Sequence, residues 1–311
     1  MPVSLVSQGV QYSNGTIRTS GKWAVRAIFG YGQNFAGTQL SVTNLVNNYG
    51  GVATDTTGVG TARLNLAAAG YGGDKAIFGY GLVTGPTRVS MTNLVSNLGV
   101  VATDVTGVGT AREGLAAAGY GTDKAIFGYG TTGIRTAVSN LVSNLGVVAT
   151  DVTGVGTARD SLAAAGYGTD KAIFGFGQTA SLISATNLVS NAGVVAADTT
   201  GVGSARSYLA AAGYGDKAIF GYGYNGGRMS ITNLVSNTGV VASDTTGVGT
   251  ARDSLSAAGY GGGQAIFGYG NATGLAYTNI TNLVSSLGVV SADVTGVGTA
   301  RYLPAAASYS S

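Results

Sequence analysis

Two phrases recur along this chain at one spacing. The first, AIFGYG (AIFGFG in one copy), places a phenylalanine at Phe29, Phe78, Phe127, Phe174, Phe220 and Phe267. The second, close to TNLVSNxGVVATDxTGVGTAR, places an aspartate at Asp55, Asp104, Asp151, Asp198, Asp244 and Asp293. It ends on an arginine at Arg63, Arg112, Arg159, Arg206, Arg252 and Arg301. Six copies of each feature mean six structural units with a period of about 47 residues. A length of 311 residues alone suggests two domains, but a repeat array enlarges one body unit by unit.

A period near 47 suits a four-stranded β-propeller blade and is too long for leucine-rich repeats. Helical repeats of similar period are excluded by the glycines, because each one in a helix interior costs about 1 kcal/mol. The copy after Arg112 parses into four short strands. Strand a is Leu115–Tyr120, and a tight turn over Gly121–Lys124 leads to strand b, Ala125–Gly130. A loop over Thr131–Thr136 leads to strand c, Ala137–Val142, and the Ser143–Gly146 turn leads to strand d, Val147–Val152. The segment Gly154–Arg159 then crosses to the next unit. Strand a is rich in alanine, as expected where units converge on an axis. By the two-residue period of a strand, Ala125, Phe127 and Tyr129 share one face, and Ile126, Gly128 and Gly130 share the other. Aromatic rings of one unit can then lie on the glycine face of its neighbour.

The end of the repeat carries a further copy of strand a, Tyr302–Tyr309, whereas the first unit begins at strand b, Ala24–Gly32. The C-terminal strand is therefore expected to complete the first unit and remove two open sheet edges. The expected fold is all-β: a six-bladed β-propeller over residues 21–311, its ring closed by the C-terminal strand. Residues 1–20 form a lead segment that serves as an attachment or an extra strand.

The order of elements resembles kelch repeats. Arg159 and its equivalents match an Arg-led first strand, and Gly128-Tyr129-Gly130 stands where kelch units carry a glycine doublet. Valine, at Val147 or Val148, takes the place of the kelch tryptophan. The wording SNLGVVATDVTGVGTAR with LAAAGYGTDKAIFGYG also resembles repeat proteins of tailed bacteriophages, over residues 24–309. That resemblance implies a virion-associated protein of the tail, fibre or capsid surface, with other virion proteins as partners.

The chain contains no histidine and no cysteine. This removes Ser-His-Asp catalysis, thiolate chemistry and the copper site of galactose-oxidase-like kelch proteins. No catalytic residue, cofactor or metal ligand is expected. Charged residues make up only 9% of the chain, and no basic cluster is present, so nucleic acid is not an expected partner. No apolar run reaches the ~18 residues of a membrane span, and residues 1–15 lack the basic and apolar regions of a signal peptide. The expectation is synthesis in a host cytoplasm, without membrane insertion, and residence in the virion. The six aspartates are expected to accept N–H bonds within their own Thr-Gly turns. The six arginines are expected to pair with aspartate or with carbonyls between units.

What varies is more informative than what repeats. The b–c loop differs in every copy and carries Phe35, Arg88, Arg135, Tyr224, Arg228 and Tyr277, residue types enriched at contact hot spots. These six are the expected ligand-binding residues, on one face of a rigid scaffold. The leading expectation is a non-enzymatic virion component that contacts a host-surface glycan through this face. The alternatives are an intracellular kelch-like interaction scaffold and, third, a glycan-processing enzyme.

Overall fold

The repeated phrases fold as repeated antiparallel sheets. The computed structural model describes residues 25–274 and 276–310, together with the backbone of the short strands Ser4–Val6, Gly9–Gln11 and Ile17–Arg18. Those three strands pair antiparallel with one another. The rest of the expected lead segment lies outside the described residues. Among the described residues the secondary structure is all-β, with no helix.

In unit 3, strand a (Ala116–Tyr120) pairs with strand b (Lys124–Gly128), which pairs with strand c (Ser139–Val142). Units 2, 4, 5 and 6 repeat the order, with a strands Ala67–Tyr71, Ala163–Tyr167, Ala210–Tyr214 and Ser256–Tyr260. In unit 1 the strands come from both ends of the repeat. Ala305–Ser310 pairs with Val25–Gly30, from Ala305↔Gly30 to Ser310↔Val25, and Val25–Gly30 pairs with Thr43–Val46. The a strands contact one another in cyclic order: units 2, 3, 4, 5 and 6, then Ala305–Ser310, then unit 2 again.

Strand d is shorter than expected. Instead of a ladder over Val147–Val152, two isolated bridges remain, Val142↔Val148 and Ser139↔Val152, and the same pair recurs in all six units. Between the bridges strand d carries one residue more than strand c. Such a bulge interrupts the ladder and re-aims a side chain. Here it brings Asp151 within 2.8 Å of the Asn140 amide.

Strand b is also corrected at its end. The strand stops at Gly128, and Tyr129 has a positive φ of 63°. The alternation that put Tyr129 on the face of Phe127 therefore breaks, and Tyr129 packs with Ile126 on the opposite face. There it meets Phe174 of the next unit edge-on, with ring centroids 5.1 Å apart. The expected seating of rings on glycine holds. A Cβ at Gly128 would lie 2.7 Å from Phe174 Cζ, and the same approach is made by Phe78 on Gly30 and by Phe29 on Gly268. On the a strands, a Cβ at Gly119 would lie 3.2 Å from the Gly70 carbonyl oxygen of the preceding unit. The equivalent residue in unit 1 is Ser308, whose hydroxyl donates to Gly259 O at 2.9 Å.

Gly128→Ala forces the Phe174 ring out of a fully buried site. Overpacking of this kind costs about 1–3 kcal/mol. A lowered melting temperature is the expected outcome in thermal denaturation, and an unchanged one contradicts this packing.

Candidate functional site

Two sets of polar residues stand out, one inside the units and one on a single face. The inner set is built on the six arginines, whose side chains are fully buried. The Arg63 guanidinium lies over the Tyr31 ring of unit 1, 4.4 Å from its centroid. Its Nη2 donates to Asn93 Oδ1 of unit 2 at 2.6 Å, its Nε to Tyr80 O at 2.9 Å, and its Nη1 to Thr61 O at 3.0 Å. Asn93 donates in turn to Asp104 Oδ1 at 2.9 Å. Asp104 accepts the Thr61 N–H and hydroxyl. The aspartates thus do accept backbone N–H bonds, but from the crossing segment of the preceding unit rather than from their own turns. The last copy joins the ends of the repeat: Arg301 donates to Asn44 Oδ1 at 2.6 Å, and Thr299 donates to Asp55.

The asparagines at Asn44, Asn93, Asn140, Asn187, Asn233 and Asn282 are fully buried members of this network, and sequence reasoning passed over them. The signal was present in the strictly repeated N-L-V of strand c. Burial pushes the tyrosines under the arginines up, Tyr31, Tyr80, Tyr129, Tyr222 and Tyr269 each to about 12. Where Phe176 replaces that tyrosine, burial brings Arg206 down to about 10, against the opposing pull of Asp244. Partial burial opposes ionisation of the aspartates. Hydrogen bonds from threonine or serine and from asparagine, together with the arginine charge, outweigh it and hold all six below the usual carboxylate range.

The outer set lies where the b–c loops meet the crossing segments. Each loop pairs with the residue after an arginine: Leu64↔Leu82, Glu113↔Thr131, Asp160↔Gln178, Ser207↔Tyr224, Asp253↔Asn271 and Gln33↔Tyr302. Inside these pairs, six residues with positive φ form a closed cycle of backbone bonds. Gly114 N–H donates to Asn65 O, Ser161 to Gly114, Tyr208 to Ser161, Ser254 to Tyr208, Leu303 to Ser254 and Asn65 to Leu303, at 2.8–3.3 Å. The cycle gathers loops and crossings on one face. Variation is therefore wider than the b–c loops, because the two residues after each arginine also vary between copies, only Asp160-Ser161 and Asp253-Ser254 being alike.

The six expected binding residues all reach this face, in two states. Phe35 is 76% exposed, and Tyr224 is exposed. Phe35 meets Tyr277 edge-on at 5.6 Å, and Tyr277 stacks on Tyr302 at 4.5 Å. The three arginines are engaged: Arg88 with Glu113, Arg135 with Asp160 and Arg228 with Asp253, each at 2.9 Å. Each partner follows one of the buried arginines, so these pairs tie a loop to the next crossing segment. The opposite face carries a cavity of 340 Å³ lined by Tyr71, Tyr120, Tyr167, Lys75, Lys124 and Lys171, residues that repeat between copies.

No protein-family model matches this chain, and no curated protein matches it.

Removing one partner of a buried charged network costs about 3–5 kcal/mol. Arg112→Ala therefore lowers stability by about that amount in denaturant titration, whereas Phe35→Ala leaves it within about 0.5 kcal/mol. Equal effects of the two contradict the assignment. The carboxylates also give a pH dependence. A group held below its unfolded value of about 3.9 stabilises the fold above that pH, and the contribution disappears as pH falls through the folded value. Asp253 has the opposite sign, because burial raises its carboxyl despite Ser254 and Arg228. With the six network groups, and Asp170 held low by Lys171, against one, the melting temperature is flat from neutral pH to about 4 and falls steeply below. A melting temperature that stays flat to pH 2 contradicts the network.

Proposed function

We propose that the chain is a six-bladed, kelch-like β-propeller that serves as a non-enzymatic structural module on the surface of a tailed phage particle. It contacts a host-surface glycan through its variable face. The observation that carries this reading is the division of labour between residues. Everything that builds the six sheets and joins them repeats nearly verbatim, while most of the differences between copies collect on one face. Recognition uses that pattern, a rigid frame that presents varied loops. The cyclic contacts of the a strands and the pairing of Ala305–Ser310 with Val25–Gly30 support the propeller. The absence of histidine and cysteine from the sequence favours binding over catalysis.

The three engaged arginines favour a ligand held by stacking and neutral hydrogen bonds over an anionic one. A second surface suits contact with neighbouring virion proteins. The c–d turns of four units present Tyr49, Leu98, Leu145 and Leu287 at equivalent positions, all strongly exposed, with Ala192 and Thr238 in the other two.

The test is binding of the purified full-length protein to a glycan array and to whole bacterial cells. Saturable binding that is lost when the b–c loops are replaced by Gly-Ser is the expected result. A folded protein that binds neither overturns the recognition role.

A further inference from the structure

The variable face is not uniform around the cycle. Loops 2, 3 and 4 (residues 82–89, 131–138 and 178–185) contain no aromatic residue. Their side is tied down by the Arg88–Glu113 and Arg135–Asp160 pairs and by an Arg88 bond to Thr132 O at 3.2 Å. The side formed by units 5, 6 and 1 carries Tyr208, Tyr224, Tyr277, Tyr302 and Phe35. Here the backbone also departs from the repeat. The crossing strand Arg252–Asp253 and the loop strands Asn271–Ala272 and Ala276–Tyr277 form a three-stranded sheet, where units 3 and 4 have isolated bridges. In that sheet Asp253, Asn271 and Tyr277 are successive cross-strand neighbours.

We propose that this half of the face is a binding site for neutral pyranose chains, with Phe35, Tyr277 and Tyr302 as its stacking platform. The proposal rests on the recognition reading above and narrows it to one side of the face and one class of sugar. A pyranose ring presents a patch of C–H groups on one face and hydroxyls at its rim. The C–H patch suits the electron-rich face of an aromatic ring, and burying it removes apolar area from water. Tyr277 is fixed between Phe35 and Tyr302, with centroids at 5.6 and 4.5 Å, so the platform is ordered before a ligand arrives. Burial pushes the Tyr302 hydroxyl up to about 12, with Tyr277 and Tyr208 adding to the shift, so that hydroxyl is uncharged at neutral pH.

Hydrogen-bonding groups stand beside the rings. Asn271 is the cross-strand partner of Tyr277 and, with its amide turned, accepts from Arg228 Nη2 at 2.7 Å. Arg228 is held by Asp253 at 2.9 Å. That pairing removes the cation that an acidic sugar would need, which makes the preferred chain neutral. The platform is an open shelf, so it takes one residue of a polymer rather than enclosing a free monosaccharide. Each contact is weak, and firm attachment comes from several copies acting together.

Affinity electrophoresis of the full chain through gels containing dextran, mannan, galactan or the acidic polymer alginate tests this, alongside binding to a panel of bacterial cells. The variants are Phe35→Ala, Tyr277→Ala, Arg88→Ala, Arg135→Ala and, from the opposite face, Lys171→Ala, each checked for an unchanged melting temperature. The expected result is retardation by at least one neutral polysaccharide. It is weakened at least tenfold by Phe35→Ala and by Tyr277→Ala and unaffected by Lys171→Ala. Retardation by alginate alone overturns the proposal while leaving glycan recognition standing. So does binding lost through Arg88→Ala or Arg135→Ala but kept in the platform variants, and so does cell binding that the platform variants do not change. Absence of both retardation and cell binding overturns the proposal and the recognition reading together.

Discussion

A fully buried guanidinium is the constraint on which the rest of this structure depends. An uncompensated charge in a protein interior costs several kcal/mol, so each guanidinium is held by a set of partners, an asparagine oxygen, a carbonyl and a ring, although Nε of Arg159, Arg252 and Arg301 finds no hydrogen-bond partner among the described residues. The set fixes much of what repeats. Asparagine on strand c offers an amide oxygen to Nη2 and turns its own amide N–H to aspartate. Threonine or serine on the crossing segment binds that aspartate, and an aromatic ring covers the guanidinium at 4.0–4.4 Å. Because the ring and the asparagine belong to successive units, satisfying the arginine joins those units. The bulge in strand d follows from the same requirement, since without the extra residue Asp151 would not reach Asn140.

The joint also explains how the array tolerates its few substitutions. Ser204 replaces threonine and still donates to Asp244 from both N–H and hydroxyl. Phe176 replaces tyrosine and keeps the ring over Arg206 at 4.3 Å, but it gives up the hydroxyl bond that Tyr129 makes to Val155 O. What the joint needs at that position is a ring face, and the hydroxyl is secondary.

Much of this was legible in the sequence because it repeats. The number of units, the a–b–c order, the Ser143–Gly146 turn and the completion of unit 1 by residues 305–310 all follow from phrase spacing. The seating of Phe174 on Gly128 follows from strand alternation and the need for close approach. Three features were hidden for physical reasons. Tyr129 takes a positive φ that alternation does not anticipate. The strand d bulge depends on a partner some forty residues away, as Thr110 is from Asp151, so local turn chemistry misplaced the aspartate's donors. Arg88, Arg135 and Arg228 look free in sequence because their acidic partners sit in the next crossing segment, 25 residues on in each case. Of the candidate site, Phe35 and Tyr224 are exposed, Tyr277 is half-buried against Tyr302, and the three arginines are held in ion pairs.

The same economy of partners separates the two faces. Where a–b and c–d turns meet, most side chains recur from unit to unit, with exceptions such as Ala192, Thr238 and Gln264, and the surface inherits much of the repetition of the core. On the other face, the closed cycle of backbone bonds from Asn65 to Leu303 holds the crossings without using a side chain. Six positions with positive φ are retained there, although five are not glycine and each costs about 1 kcal/mol or more. Because this backbone cycle forms whichever side chains follow the arginines, those positions and the b–c loops tolerate change, and the three arginine–carboxylate pairs add local ties between loop and crossing. Side chains at these positions differ between copies, and the aromatic residues among them have collected in units 5, 6 and 1. A frame whose core is fixed by side chains, and whose variable face is joined around the cycle by backbone, can change what it contacts without changing how it folds.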